Sequence, residues 1–109
     1  MIYHIAHQHD WQKAQQQGFY SCDSIALEGF IHASFKEEVL NSYNNYFKPE
    51  QKLVLLFIDE TKVTEKLIVE KAPSNGKDYP HIYGNLNLNA VLKAEVISSQ
   101  FELTALLNN

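Results

Sequence analysis

Apolar and polar positions alternate early in the chain. In Ile2-Tyr3-His4-Ile5-Ala6, Tyr3 and Ile5 fall on one face and Ile2, His4 and Ala6 on the other, the period of a strand. A short helix is expected from Trp11 to Gln17, capped by Asp10 and ended by Gly18, followed by a brief extended piece at Phe19-Tyr20. Ser21 to Gly29, rich in polar punctuation, reads as a loop. Phe30-Ile31-His32-Ala33 alternates again, with Phe30 and His32 on one face and Ile31 and Ala33 on the other. Ser34 and Glu37 then have the S-x-x-E spacing of a capping box, which predicts a helix from about Phe35 to Phe47. Val39, Leu40, Tyr43 and Phe47 form its buried stripe, and Pro49 stops it.

The second half is richer in strands. Leu53 to Ile58 is apolar throughout and of strand length, which predicts a central strand buried on both faces. Glu60 to Lys66 reads as a polar turn or one short helix. Leu67 to Lys71 is a strand with Ile68 and Glu70 on one face. Ala72 to Gly84, with two prolines and two glycines, reads as a long connection of the kind that often carries function. Leu86 to Leu88 and Ala90 to Ser99 add strand material, strongest over Val91 to Ile97, and Phe101 to Leu107 is a strand or a short helix. The pattern is α+β: one domain over residues 1–109, an antiparallel-rich sheet and early helices.

Composition narrows the function classes. Hydrophobic residues make up 45% of the chain, enough for a packed core, and no apolar run reaches the length of a membrane span. The opening residues carry no export signal and Cys22 is the single cysteine, so a reducing cytoplasm is the expected setting. The net charge is -4, and all nine basic residues are lysines scattered without a stripe. Nucleic-acid binding over a broad basic surface is therefore not expected, whereas a small-molecule ligand is. Without arginine, an anion must be held by backbone amides, lysine or protonated histidine. The helix start after Ser34 is the expected source of amides.

Three of the five histidines lie in ordered, partly apolar segments: His4, His32, and His81 within Tyr79-Pro80-His81-Ile82-Tyr83-Gly84. With Glu70 they make a candidate acid–base cluster, and Ser34, Tyr83 and Tyr20 are the candidate ligand-binding groups. His7 and His9 flank a helix entry and are expected at the surface. Their H-x-H spacing has no third ligand nearby, and the strand histidines lack metal-binding spacing, so no metal site is predicted. Ser34 reads as a cap rather than a nucleophile, and Tyr43, Tyr46 and Phe47 as helix packing.

Gly29-Phe30-Ile31-His32-Ala33-Ser34 and Tyr79-Pro80-His81-Ile82-Tyr83-Gly84 resemble the two signature blocks of a small bacterial family, domain of unknown function 952. The opening Ile2-Tyr3-His4-Ile5, Trp11, Gly18-Phe19-Tyr20, Glu28 and Glu70 fit the same family. That family is similar in fold to ADP-ribosyltransferase catalytic domains, whose cleft binds NAD. The resemblance implies a transferase or glycohydrolase acting on NAD or a related nucleotide. His4 would stand at the first-strand position beside the nicotinamide ribose, His32 on the next core strand, and Glu70 or His81 at the late catalytic position. NAD would be a substrate, with no firm cofactor. The other reading is a nucleotide-binding module without turnover. The absence of arginine departs from the RNA phosphotransferase branch of that superfamily.

Overall fold

The computed structural model describes residues 1–108. Its strands begin with β1 (Ile2–His7), β2 (Phe19–Tyr20), β3 (Ile31–His32) and β4 (Leu53–Ile58). They continue with β5 (Lys66–Lys71), β6 (Asp78–Tyr83), β7 (Leu86–Asn87) and β8 (Val91–Ile97). The helices are α1 (Gln8–Gln17), α2 (Asp23–Glu28), α3 (Lys36–Tyr46) and α4 (Gln100–Leu107), with single 3-10 turns at Glu60–Lys62 and Leu88–Ala90. None of these helices is long and apolar enough to cross a membrane.

All strand pairs are antiparallel. β4 lies between β1 and β8 in one sheet, β6 lies between β3 and β5 in a second, and β2 pairs with β7. The apolar run Leu53–Ile58 is buried at every residue because each of its faces meets a separate core. Val54, Leu56 and Ile58 join Ile2 and Ala6 of β1 against Ile31, Ala33 and Ile82 of the second sheet. Leu53, Leu55 and Phe57 join Tyr3 and Ile5 against Val39 and Tyr43 of α3 and Leu103 and Leu107 of α4. The two faces of β1 divide as the alternation of Ile2 to Ala6 predicts.

Pro80 decides how the two sheets meet. It stands buried in β6, and its carbonyl accepts the Ala33 N–H at 3.0 Å. Having no N–H, it returns nothing to Ala33, so the β3–β6 ladder stops there. The chain pairs with β1 one residue later: Ser34 and Tyr3 exchange backbone hydrogen bonds of 2.7 and 2.8 Å.

Several local expectations need correction. Ser34 does not cap α3: Phe35 is the N-cap residue, without a side-chain cap, and the Ser34 hydroxyl instead lies 3.3 Å from that of Ser42. The sheet bridge uses the Ser34 backbone and removes it from the helix, so the S-x-x-E spacing is not a capping box here. Asp10 lies inside α1, which starts directly after β1 with His7 as its N-cap; Gly18 ends it as expected, in the left-handed conformation with φ +93°. Ser21 to Gly29 contains helix α2. Ala72 to Gly84 contains strand β6, and the connection is confined to residues 72–77 between the arms of the β5–β6 hairpin. The tail is helical.

Candidate functional site

The chemistry gathers on the outer face of the second sheet. His32, His81 and Ile68 stand opposite one another across β3, β6 and β5, so they share a face with Glu70, Tyr79 and Tyr83 two residues away on their strands. His81 donates from Nδ1 to Oε1 of Glu70 at 2.8 Å, and the Tyr83 hydroxyl donates to the same oxygen. These two donors, Tyr83 first, hold the Glu70 carboxyl below its ordinary pKa, and the carboxylate in turn pushes the Tyr83 phenol up. Glu70 is therefore a fixed anion that fixes the orientation of the His81 ring.

A second imidazole–carboxylate pair faces the first. Gly29 ends α2 in the left-handed conformation, φ +93°, with its N–H on the carbonyls of Ile25 and Ser24. The turn brings Glu28, the last residue of α2, back over β3, where His32 donates from Nε2 to Glu28 at 2.6 Å. Phe30 lies between the pairs. Its ring stacks on His81 with centroids 4.0 Å apart and meets His32 edge-on at 4.7 Å. The two imidazole centroids are 5.3 Å apart.

His4 sits beneath this surface and behaves differently. Its Nδ1–H donates to the carbonyl of His32 at 2.5 Å, which leaves Nε2 to accept the Tyr20 hydroxyl at 2.8 Å. Burial lowers the His4 pKa to about 4, the largest influence on it, so at neutral pH the ring is an uncharged Nδ1–H tautomer. Tyr20 is buried and its phenol is pushed strongly up, first by burial. The Tyr20–His4 chain ties β2 and β1 to the backbone that carries the His32 ring.

A cleft of about 560 Å³ opens over this face, within the range of small-molecule sites. His4, His32, His81 and Ser34 border it directly. Glu70 and Tyr83 reach it through His81, and Tyr20 through His4. Its remaining wall includes Glu28, Phe30, Tyr46 and Tyr79. Tyr79 was open to sequence reasoning, because Tyr79, His81 and Tyr83 alternate with Pro80 and Ile82 as a strand does; Pro80 obscured the pattern. Glu28 gave no such signal, since its role depends on the Gly29 turn. The amides expected after Ser34 are displaced to Phe35 and beyond. Among the described residues no three His, Cys, Asp or Glu side chains converge as a metal site. His7 packs its ring near Phe47, centroids 5.9 Å apart.

The model of one family, described as a protein of unknown function (DUF952), matches residues 5–94. The chain belongs to the DUF952 family. Both blocks that build the two imidazole–carboxylate pairs lie within the matched segment. The crystal structure of protein CC0527 from Caulobacter crescentus is similar to this DUF952 domain with a TM-score of 0.80 and 28% sequence identity, covering 87% of this chain and 83% of that one. The solution NMR structure of the same protein gives a TM-score of 0.72 at 29% identity, covering 85% and 80%. No curated protein matches the chain.

Proposed function

We propose that the cleft binds NAD or a related nucleotide and that the domain acts as a transferase or glycohydrolase at its N-glycosidic bond. The reading is carried by one observation: the Glu28 carboxylate and His81, held by Glu70, border a single cleft with the Phe30 ring between them. The two signature blocks resemble those of the DUF952 family, and the likeness in fold to ADP-ribosyltransferase catalytic domains that this resemblance implies supports the reading. Cleavage of this bond builds positive charge on the ribose while nicotinamide leaves as a neutral molecule. Negative charge held in place before the reaction stabilises that transition state. Glu28, on the cleft wall, supplies it, and the Glu70–His81 pair accepts the proton of the incoming water or acceptor hydroxyl. Phe30 offers a ring for stacking. Lys71, which borders the cleft and is tied to Asp78 at 3.3 Å and to the Gly76 carbonyl, adds a cation near the phosphates.

Incubation with NAD and chromatography for free nicotinamide tests this. Wild type should release nicotinamide, and Glu70→Gln should lower the rate by roughly 100-fold, the usual scale for a lost proton acceptor. Release that is absent in wild type while NAD still raises the melting temperature would mean a binding module without turnover. Neither effect would remove the nucleotide from the reading.

Ligand affinity should also depend on pH. A protonated imidazole carries a positive charge, so a phosphate-bearing ligand should bind more tightly near pH 6 than near pH 8. His32→Gln should reduce the difference in a calorimetric titration. Equal affinity at both pH values in wild type would take histidine charge out of ligand binding.

A further inference from the structure

The two imidazoles exceed what glycosidic cleavage requires. Nicotinamide departs without needing a proton, so one proton acceptor is enough for that reaction. This face instead carries two imidazoles of matched construction. Each has one ring nitrogen fixed by a carboxylate: Nε2 of His32 by Glu28 and Nδ1 of His81 by Glu70. Among the described residues no protein group bonds the other nitrogen of either ring, which leaves Nδ1 of His32 and Nε2 of His81 for substrate. The rings are direct cross-strand neighbours, 5.3 Å between centroids and nearly perpendicular at 76°. A paired base and acid at that separation suits a reaction in which one oxygen loses a proton while another gains one across a small central group.

We propose that His32 and His81 are a general acid–base pair for cleaving ribonucleotide phosphodiesters by transfer to the neighbouring 2′-hydroxyl. This goes beyond the glycosidic reading and does not rest on it. His81 is only 14% exposed, inside the cleft, and takes the proton of the 2′-hydroxyl at Nε2. The 2′-oxygen forms a bond to phosphorus and the bond from phosphorus to the 5′-oxygen breaks. His32, 51% exposed at the mouth, enters protonated and gives its Nδ1 proton to the departing 5′-oxygen. The products are a 2′,3′-cyclic phosphate and a free 5′-hydroxyl, and one proton has moved from one imidazole's side to the other. No outside co-reactant is needed.

The surroundings fit these roles. Glu28 and Glu70 orient the rings and stabilise the imidazolium form, the part a carboxylate plays behind a catalytic histidine. The charged imidazole offsets the phosphate charge in a chain without arginine. The nucleophile comes from the substrate: the Tyr83 hydroxyl is committed to Glu70 and that of Ser34 lies toward Ser42. The cleft volume, about 560 Å³, matches a short substrate rather than a long nucleic acid, which agrees with the scattered lysines. Other ionisable groups against the pair are His4, uncharged and bonded to the His32 carbonyl, Tyr79 on β6, and Lys71, already paired with Asp78.

The test uses uridylyl-3′,5′-adenosine, its 2′-deoxy counterpart, and phosphorus NMR or chromatography of products. Wild type should yield the cyclic phosphate and adenosine, with kcat/KM following a bell-shaped pH profile, and the deoxy compound should be inert. His32→Ala and His81→Ala should each lower kcat/KM by about 100-fold or more, each flattening one limb of the bell. His32→Gln and His81→Gln, which keep a polar side chain of similar reach, should show the same losses with melting temperatures near wild type. A double variant purified in parallel sets the background from contaminating ribonuclease. Product at or below that background, loss from only one of the two histidines, or cleavage of the deoxy compound would overturn the proposal. Nicotinamide release from the same preparations reports on the glycosidic reading separately.

Discussion

Acidification from about pH 7.5 to about pH 3.5 is expected to cost the fold about 3 kcal/mol through His4 alone. The folded pKa of His4 is lowered to about 4 by burial, below the ordinary histidine value of 6.5. Below the ordinary value the unfolded chain binds a proton that the folded ring refuses, so unfolding gains. The stability that His4 lends is present above about pH 6.5, falls as the pH drops toward 4, and then levels off as the folded ring protonates too. Protonation also removes the acceptor for the Tyr20 hydroxyl, which is itself buried. Urea unfolding of wild type and His4→Gln across this range measures the effect. Glutamine offers a donor and an acceptor of similar reach and does not titrate. Asp59 and Glu70, both with lowered pKa values, also lose stabilising charge as pH falls, but they are common to both proteins and cancel in the difference. Parallel stability curves for the two proteins would show that His4 does not remain neutral in the fold.

Truncating Leu55→Ala should destabilise the domain by about 2–5 kcal/mol, the range for a large side chain removed from a close-packed core. Leu55 is fully buried on the face of β4 that meets Tyr3, Ile5, α3 and α4. Such a loss is a large fraction of the stability of a small domain. It should appear as a lower urea midpoint with an unchanged slope. Leu92→Ala on β8, where the side chain is 50% exposed, should stay within about 1 kcal/mol. Equal costs at the two positions would mean that Leu55 does not stand in a close-packed core. Because β4 carries β1, and β1 carries both His4 and the bridge to Ser34, loosening this strand should also weaken ligand binding in the cleft.

The sequence alone determined what depends on periodicity and local backbone chemistry. The two faces of β1, the doubly buried β4 and the stripe of α3 follow from apolar spacing, which any packed arrangement must respect. Gly18 marked the end of α1 because a left-handed residue there favours glycine. The histidines at positions 4, 32 and 81 stood out because each lies in an ordered, partly apolar stretch of sequence. Elements whose partners are distant in the chain were decided by the tertiary structure. Residues 78–83 look like a loop because of Pro80, and become a central strand because the missing N–H falls where the β3 ladder ends and Ser34 turns to Tyr3. That same bridge removed Ser34 from its expected capping role. Charge and proton state were likewise decided in three dimensions. His4 is neutral because it is buried between Tyr20 and the His32 carbonyl, while His32 and His81 gained separate carboxylates from the Gly29 turn and from the neighbouring strand β5. No spacing rule distinguishes these three histidines, because desolvation and hydrogen-bond partners come from residues that only the fold brings near.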